Sequence, residues 1–463
     1  MSAPKFDAGS GLVDDLTTLL GPAAVEAGEV PSRYLRDATE VRGLAGEADA
    51  IVRPSSTTEL AALMTWCDEH DVPVTPRGGG TGYAGGAVPH GGIVCSTERL
   101  SAIHEFEPFL WRGRFGAGVI TSTVQRLARE NGLLYPPDPG AAESSQLGGN
   151  VATNAGGPHS FKYGVTRAWV TGLEAVTMPG EVIKVGGAAR KDVGGYDLQS
   201  LLVGSEGTLA VISAIAVRFI PAPEASYPIV GCYASAGAAA DAVLACLGSG
   251  ITPAAIEFLD EAAVDVVRPG FPWDLDRSGL IVIAEADGSA GEARAGRDAL
   301  LEAMSPGTFS LFGPEEPAEV RALWRWRDGV GLAADAKRGG KVSEDIVVPV
   351  DRLAEAMNRG RDIATRFNLD YCCWGHAGDG NLHATFMFDR LDFAAANRSA
   401  EAASELFAMA VDLGGGISGE HGIGSVKNGQ LRRQWDAPAL DLHRGIKRLF
   451  DPKGLLNPDK KLA

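Results

Sequence analysis

Two histidines seven residues apart enclose a short glycine-rich segment. His376 and His383 lie in Gly375–His383, which reads GHAGDGNLH. The Asp-Gly-Asn triplet between them favours a tight turn over a helix. The flanking residues 369–374 and 382–388 are predicted strands, so a hairpin-like turn can direct both imidazoles toward one point.

A second glycine-rich segment about forty residues later carries a carboxylate beside a histidine. It spans Gly419–Gly424, reads GEHGIG, and contains Glu420 and His421. Two histidines and one carboxylate with an open position suit a catalytic divalent cation, with Zn²⁺ first and Mn²⁺ or Fe²⁺ next. The alternative is a structural histidine pair. Against it, three of the chain's eight histidines fall in these two short segments.

Length and composition narrow the class of protein. The 463 residues suggest two or three domains, and the net charge of −17 argues against nucleic acid and anionic membranes as partners. The six cysteines form no CxxC pair, so we expect them to be reduced and buried in a cytoplasmic protein. No secretory signal is evident, and no apolar run reaches the ~18 residues of a membrane span.

Glycine-rich loops in the first half are suited to anions. Residues 76–89 hold six glycines, and Gly148–Gly157 reads GGNVATNAGG. Such loops present successive backbone N–H groups without obstruction by a Cβ atom, although a flexible surface loop is the plain alternative. No Rossmann or P-loop context accompanies the first loop. Two such loops suggest a ligand larger than a mononucleotide.

A third candidate residue is an arginine in a predicted helix that also carries two tryptophans. Trp324 and Trp326 alternate with Arg325 and Arg327 in a predicted helix over 322–329. Arg325 is expected to be solvated. The planar fork of Arg327 can grip a carboxylate through two parallel hydrogen bonds, so we assign it a site role.

Six segments of the first half resemble the FAD-binding domain of the vanillyl-alcohol oxidase (PCMH-type) flavoprotein superfamily. In chain order they read PRGGGTGYAGGA, PPDPG, GGNVATNAGG, KYGVTR, KDVGGYDL and VGSEGTLAVI, and they match over residues 45–220. The resemblance implies FAD, which is expected to be non-covalent because the first loop lacks the histidine of covalent members. The residues implied at the pyrophosphate are Arg77, Gly78, Gly79, Gly80, Thr81, Gly82 and Gly85. Those implied along the rest of the cofactor are Pro137, Asp138, Gly148, Asn150, Thr153, Asn154, Gly156, Glu206, Gly207 and Ile212.

The second half resembles the C-terminal domain of the FAD-linked oxidases, the domain of the D-2-hydroxyacid dehydrogenases. The matching motifs are LW-x-x-R, SEDIVVPVDRL, GHAGDGNLH, GGGISGEHGIGSVK and LFDPKGLLNPDK. The roles that the resemblance implies are metal ligation by His376, His383 and Glu420, base catalysis by His421, carboxylate binding by Arg327, and a place near the flavin for Asn457. Substrate contacts are expected from Arg327, His376, Thr385 and His421.

Together the two resemblances predict an α+β protein. A PCMH-type FAD-binding domain, with two α+β subdomains, would be followed by an α+β cap with a large antiparallel sheet and C-terminal helices. The predicted boundaries are an N-terminal helical segment at 1–44, the FAD domain at 45–223, the cap at 224–413, and a C-terminal segment at 414–463 that returns to the FAD domain.

The implied activity is metal-assisted oxidation of a D-2-hydroxy acid to the 2-oxo acid, with hydride transfer to flavin N5. Hydroxyglutarate-type enzymes tend to have Asn and Lys where this chain has Thr385 and Ser343, so a monocarboxylate such as D-lactate or glycolate is favoured. Lys337, Arg338 and Lys341 are close enough in sequence to compensate, which keeps D-2-hydroxyglutarate as the alternative.

Two other classes of protein remain as rivals. A metallohydrolase would use the His/His/Glu cluster but leave both glycine-rich loops without a role. A non-catalytic flavin-binding protein would not need His421. The electron acceptor, whether electron-transfer flavoprotein, cytochrome or quinone, is not specified by the sequence, and a homodimer is compatible with it.

Overall fold

The computed structural model describes residues 11–26, 28–275 and 277–462, which divide into two compact units. The first unit contains the chain up to Gly156, Val165–Ala222, and the stretch from Glu420 onward. The second unit contains Gly157–Gly164 and Pro223–Gly419. None of the described helices combines the length and apolarity needed to cross a bilayer.

The described part of the chain contains both strands and helices, in the order given by their numbering. The strands are β1 (Val25–Glu26), β2 (Ala50–Val52), β3 (Val74–Arg77), β4 (Ile93–Ser96), β5 (Ile103–Glu107), β6 (Arg112–Gly116), β7 (Leu133–Leu134), β8 (Val170–Val176), β9 (Val182–Gly186), β10 (Val211–Arg218), β11 (Ile220–Pro221), β12 (Ala225–Tyr233), β13 (Ala255–Leu259), β14 (Leu280–Gly288), β15 (Thr308–Phe312), β16 (Gly339–Val347), β17 (Asp370–His376) and β18 (Asn381–Asp389). The helices are α1 (Leu12–Leu20), α2 (Thr57–Glu69), α3 (Thr121–Glu130), α4 (Leu147–Thr153), α5 (Ser160–Tyr163), α6 (Leu198–Leu202), α7 (Ala236–Leu247), α8 (Glu261–Val267), α9 (Ala290–Met304), α10 (Pro317–Asp328), α11 (Val330–Arg338), α12 (Leu353–Arg366), α13 (Phe393–Asp412) and α14 (Ala437–Phe450).

The first unit is built on two main sheets. One has the strand order β1-β2-β4-β3, with β4 parallel to both β2 and β3, and the other has the antiparallel order β5-β6-β10-β8-β9. A short β11–β7 pair completes the unit. The segment 1–44, predicted to be helical, supplies α1 but also β1, which pairs with β2; its residues 1–10 lie outside the described part.

Two helix starts in the first unit differ in their caps. The Ser56 side chain accepts the Glu59 N–H at the start of α2, as expected for Ser followed three residues later by Glu. Thr121, also a residue type typical of helix caps, is the first helical residue of α3, and Ile120 is the cap. The Thr121 hydroxyl instead lies 3.2 Å from the Ser145 carbonyl oxygen.

Residues far apart in sequence close the core of the first unit. Leu455 and Leu456 are buried against the same apolar cluster as α1 and α2. The Leu455 carbonyl accepts the Val74 N–H at 2.9 Å, and the Asn457 N–H donates to the Val74 carbonyl at 2.7 Å. The stretch after Glu420 is therefore part of the first unit's core rather than an appendage.

The second unit is a seven-stranded antiparallel sheet in the order β15-β12-β14-β13-β17-β18-β16. Helices α7, α9, α12 and α13 pack on one face. The other face is apolar at one end, where α8, α10 and α11 cover residues such as Ile281 and Ile283. Successive strand residues point to opposite faces, so Glu285 shares this second face with Ile281 and Ile283. The predicted antiparallel sheet with covering helices is confirmed.

All six cysteines are free and buried, as expected from their spacing. Two of them, Cys372 and Cys373, lie near the fully buried carboxyl group of Asp260, which caps α8 by accepting the Ala263 N–H at 2.8 Å. Burial raises the pKa of Asp260 from 3.8 to about 6, although hydrogen bonds from Ala263 and Cys373 and the charge of Arg361 oppose the shift. The folded chain therefore binds this proton more tightly than the unfolded chain does.

The pH dependence of stability should reveal this carboxyl group. Because its folded pKa exceeds the unfolded value, its stabilising contribution is present below pH 4 and is lost as the pH rises through about 6, by roughly 3 kcal/mol. Asp260→Asn keeps a cap acceptor but cannot ionise. As the pH rises from 4 to 7.5, we expect the unfolding temperature of this variant to increase relative to that of the wild type. Parallel curves for the two proteins would contradict this assignment.

Candidate functional site

The hairpin formed by β17 and β18 holds both histidines of the first motif, as predicted. His376 ends β17, a single 3-10 turn follows, and β18 begins at Asn381. Gly380 closes the turn at φ +69°, and a Cβ atom there would lie 1.9 Å from the Val348 carbonyl oxygen. This position therefore requires glycine.

The two imidazoles lie on the same face of the sheet. His383 pairs with Trp374 across the hairpin, and Trp374 is two residues from His376. The ring centroids are 5.4 Å apart, the planes are nearly perpendicular, and the residues are 5% and 6% exposed. Buried histidines this close together have few ways to be solvated, so a shared ligand is a natural complement.

A buried carboxylate joins His376 to the predicted carboxylate-binding arginine. Glu257, 0% exposed, lies directly opposite His376 in the β13–β17 pair, and its Oε1 is 2.6 Å from His376 Nδ1. Its Oε2 forms an ion pair with Arg327 Nη2. Burial opposes ionisation, but Arg327 and His376 outweigh it and hold the pKa of Glu257 below its usual value. The carboxylate is therefore ionised at neutral pH.

Arg327 projects from α10 and is 8% exposed. The helix is fixed independently by Leu323 and Trp326 in the apolar core and by a 2.9 Å hydrogen bond from Trp326 Nε1 to the Val267 carbonyl. The Nε atom of Arg327 has no hydrogen-bond acceptor within the described part of the chain. A buried guanidinium with an unused donor suits an incoming carboxylate.

Asp345 organises the chain just before the second motif. Its carboxylate accepts hydrogen bonds from Asn381 Nδ2 at 2.6 Å, Ser418 Oγ at 2.6 Å and the Gly419 N–H at 2.9 Å. It is fully buried and pairs with His383 in the β16–β18 register. Asp345 thus ties the hairpin to the backbone that leads into Glu420.

Glu420 follows Gly419 by one peptide bond. Its carboxylate is a possible metal ligand, as are the ring nitrogens of His376 and His383. Two neutral nitrogen donors and one carboxylate oxygen form a donor set that fits a borderline divalent cation.

His421 is held against an aromatic ring. Its imidazole stacks on Tyr83, with centroids 4.8 Å apart and planes 27° apart. Its Nε2 lies 3.8 Å from Glu420 Oε1. The stack fixes the ring plane and leaves the nitrogen atoms at its edge.

Thr385 lies on the same sheet face, two residues beyond His383. It is fully buried, pairs with Ser343 across β16 and β18, and the two hydroxyl oxygens are 2.8 Å apart. Lys341 Nζ donates to the Gly331 carbonyl at 2.6 Å, and Arg338 is bonded to Asp370 at 2.7 Å.

The first glycine-rich loop borders a cavity of about 350 Å³ in the first unit. Its lining includes Arg33, Arg36, Arg77, Gly80, Thr81 and Tyr83. Gly79 packs so closely that a Cβ atom would lie 2.3 Å from the Ser144 carbonyl oxygen. Arginine side chains beside a glycine-rich backbone provide positive charge and N–H donors of the kind that an anion requires.

The side chain of Arg77 has a different partner from the one that the resemblance implies. Its guanidinium donates to the carbonyl oxygens of Arg33, Arg36 and Ala87. Burial lowers its pKa, and the charge of Asp37 opposes this. Arg77 therefore holds the loop in shape, and a direct contact with the cofactor stays a prediction.

Two further predicted cofactor residues, Glu206 and Asn457, are in contact within the first unit. Glu206 accepts the N–H groups of Ile423 at 3.0 Å and Gly424 at 2.6 Å, so its carboxylate anchors the second motif. Asn457 Nδ2 donates to the carbonyl oxygens of Gly86 and Glu206. Its buried Oδ1 has no hydrogen-bond donor among the described residues, which leaves an acceptor for a bound ligand.

Comparison with known proteins decides the family. The model of the FAD linked oxidase C-terminal domain matches residues 223–461, and that of the FAD binding domain matches residues 48–186. The chain belongs to the FAD-linked oxidase family. It is an FAD-dependent oxidoreductase with a PCMH-type FAD-binding fold.

Several curated relatives of this FAD-linked oxidase match over nearly their whole length. Glycolate oxidase subunit GlcD of Bacillus subtilis is 35% identical, covering 90% of this chain and 89% of the relative. A D-lactate dehydrogenase of Archaeoglobus fulgidus is 36% identical, covering 90% and 92%. A D-2-hydroxyglutarate dehydrogenase of Xanthomonas citri pv. viticola is 35% identical, covering 89% and 88%. Among solved structures, p-cresol methylhydroxylase shares the fold, with a TM-score of 0.78, 14% identity, and coverage of 97% and 95%.

Sequence reasoning missed two carboxylates of this oxidase, Glu257 and Asp345. Glu257 stands in the strand AIEFL, where a single charge among buried apolar residues is a detectable signal. Asp345 lies in the quoted motif SEDIVVPVDRL but was given no role. The two acids hold His376 and the backbone before Glu420, respectively.

Proposed function

We propose that this oxidase converts a D-2-hydroxy acid, preferably a monocarboxylate such as D-lactate or glycolate, to the corresponding 2-oxo acid. The observation that carries the proposal lies within the second unit. One sheet face presents His376 and His383 beside Arg327, with Glu257 between the arginine and the first histidine. A cation-binding pair next to a carboxylate-binding group matches the hydroxyl and carboxylate of a 2-hydroxy acid.

Each residue has a distinct task in this proposal. Arg327 receives the substrate carboxylate through its unused Nε donor, and His376, His383 and Glu420 hold a divalent cation, Zn²⁺ first. Such a cation lowers the pKa of a coordinated hydroxyl group. His421 accepts the hydroxyl proton, and bound FAD supplies the hydride acceptor.

The hydroxyls of Ser343 and Thr385 favour a small substrate. They are hydrogen-bonded to each other, and neither carries the positive charge that would neutralise a second carboxylate. Of the three basic groups nearby in sequence, Lys337, Arg338 and Lys341, the last two already have partners in Asp370 and Gly331. D-2-hydroxyglutarate is therefore the second candidate.

The visible spectrum of the purified protein under anaerobic conditions tests the proposal. Separate additions of D-lactate, L-lactate, glycolate and D-2-hydroxyglutarate are expected to bleach the flavin band only with an accepted acid. Bleaching should disappear after treatment with a chelator and return with added Zn²⁺. A yellow protein that none of these acids reduces would refute the proposed function and support the non-catalytic flavin protein.

The metallohydrolase reading no longer accounts for the chain. The chain matches the FAD binding domain and the FAD linked oxidase C-terminal domain. A metallohydrolase would have no use for an FAD-binding domain.

A further inference from the structure

Glu257 occupies an unusual position for a carboxylate. It lies in the middle of β13, is completely buried, and is surrounded along its own strand by Ala255, Ile256, Phe258 and Leu259. Moving an ionised carboxylate into such a place is unfavourable unless both oxygens find charged or donating partners. Its two oxygens have separate partners, His376 on β17 and Arg327 on α10.

The plain explanation is that the carboxylate fastens α10 to the sheet. However, α10 is already fixed by Leu323 and Trp326 in the apolar core and by the Trp326 Nε1 hydrogen bond. Replacing a buried ion pair with apolar side chains is often neutral for stability. Attachment of the helix therefore gives no reason to place a charge here.

We propose that Glu257 is a positioning residue that fixes, with one carboxylate, both the ring nitrogen that His376 offers to a cation and the orientation of the guanidinium that grips the substrate. This inference rests on the proposed function and deepens it. By accepting a hydrogen from Nδ1, the carboxylate leaves the lone pair of His376 on Nε2. Its other oxygen holds Nη2 of Arg327, while Nε remains for the substrate carboxylate.

The shared carboxylate links two binding events that would otherwise be independent. A change at Glu257 disturbs the histidine tautomer and the guanidinium together, whereas a change at either partner disturbs one of them. Cation binding and substrate binding are thus expected to weaken in parallel when the carboxylate is altered.

Glu257→Gln tests this because an amide cannot serve both partners. If the amide NH₂ faces His376 Nδ1, the ring proton must move to Nε2, the atom that a cation needs. If the NH₂ faces Arg327, two donors oppose each other. The side chain keeps its size in either case, so packing is preserved.

A matched control is available on the neighbouring strand. Glu285 is also fully buried on this sheet face, and its oxygens contact His159 at 3.0 Å and Trp324 Nε1 at 2.8 Å. Glu285→Gln therefore reproduces the loss of one buried charge without touching a proposed ligand.

The measurement is the affinity of the flavin-loaded, metal-depleted protein for Zn²⁺, by competition with a chromophoric chelator. We expect a 10- to 100-fold loss for Glu257→Gln and less than a threefold change for Glu285→Gln. In the zinc-saturated protein, KM for D-lactate, or for whichever acid bleaches the flavin, should rise for the first variant alone. Unfolding temperature and flavin content are recorded for all three proteins.

Equal zinc affinity in the wild type and Glu257→Gln, with a comparable loss of stability in both variants, would show that Glu257 has only a structural role. This result would overturn the positioning role but not the proposed function. A wild type that binds no zinc would overturn the cation part of the proposed function as well. If Glu257→Gln does not fold, Glu257→Asp takes its place: it keeps the charge but shortens the reach, and unchanged zinc affinity in it would equally reject the proposal.

Discussion

Replacing His421 with alanine is expected to slow reduction of the flavin by substrate about 10²- to 10⁴-fold, the usual contribution of a positioned general base. The imidazole stacks on Tyr83 and has Glu420 as its chain neighbour, so its ring plane is fixed before substrate arrives. Removing the ring removes the proton acceptor and leaves the cofactor loops intact. The variant should therefore purify with its full complement of FAD.

Stopped-flow measurement of flavin bleaching under anaerobic conditions gives the rate. Tyr83→Phe preserves the stack, and should therefore stay close to the wild type. His443→Ala is a matched control, because His443 also contacts an aromatic ring, Trp435, at 4.7 Å. Reduction of His421→Ala at the wild-type rate would remove His421 from the mechanism.

Replacing His383 with alanine should slow flavin reduction by a factor of the same order. His376, His383 and Glu420 are the proposed ligands, so deletion of one imidazole leaves two donors for a cation. A cation that polarises the substrate hydroxyl is worth several kcal/mol, or about a thousandfold in rate. We expect His383→Ala to lose at least this factor and to retain little zinc after dialysis.

Chelator treatment of the wild type provides the comparison. It should cause the same loss of rate, with recovery on addition of Zn²⁺, whereas His383→Ala should not recover at the same concentration. His159→Ala, a histidine of the same unit paired with the buried Glu285, serves as the control. An undiminished rate in the chelated wild type would show that the chemistry proceeds without a cation.

The sequence was most informative where local chemistry determines geometry. The GDGN turn requires glycine at 380, so the hairpin and the common direction of His376 and His383 follow from residue types alone. The antiparallel sheet of the second unit was also predicted, from the family resemblance. Family resemblance then supplied the FAD domain, which the local patterns could not have specified.

What escaped sequence reasoning depends on contacts between distant residues. Glu257 is 119 positions from His376, and its role appears only when β13 and β17 pair. The contacts of Arg77 are another example, because its guanidinium binds carbonyl groups some forty residues earlier. Residues 157–164, in the middle of the FAD-domain motifs, pack with the second unit through Lys162 and Asp287.

The placement of Leu455 and Leu456 in the core of the first unit has a consequence for the order in which the protein matures. During synthesis, residues 223–419 leave the ribosome before these leucines do, so the second unit has all of its sequence while β3 still lacks its neighbour at Leu456. Domains usually mature from the amino terminus onward. Here the opposite order holds for the sequence: the unit with the FAD-binding domain receives its last core residues only after the sequence of the other unit, which carries His376 and His383, is complete.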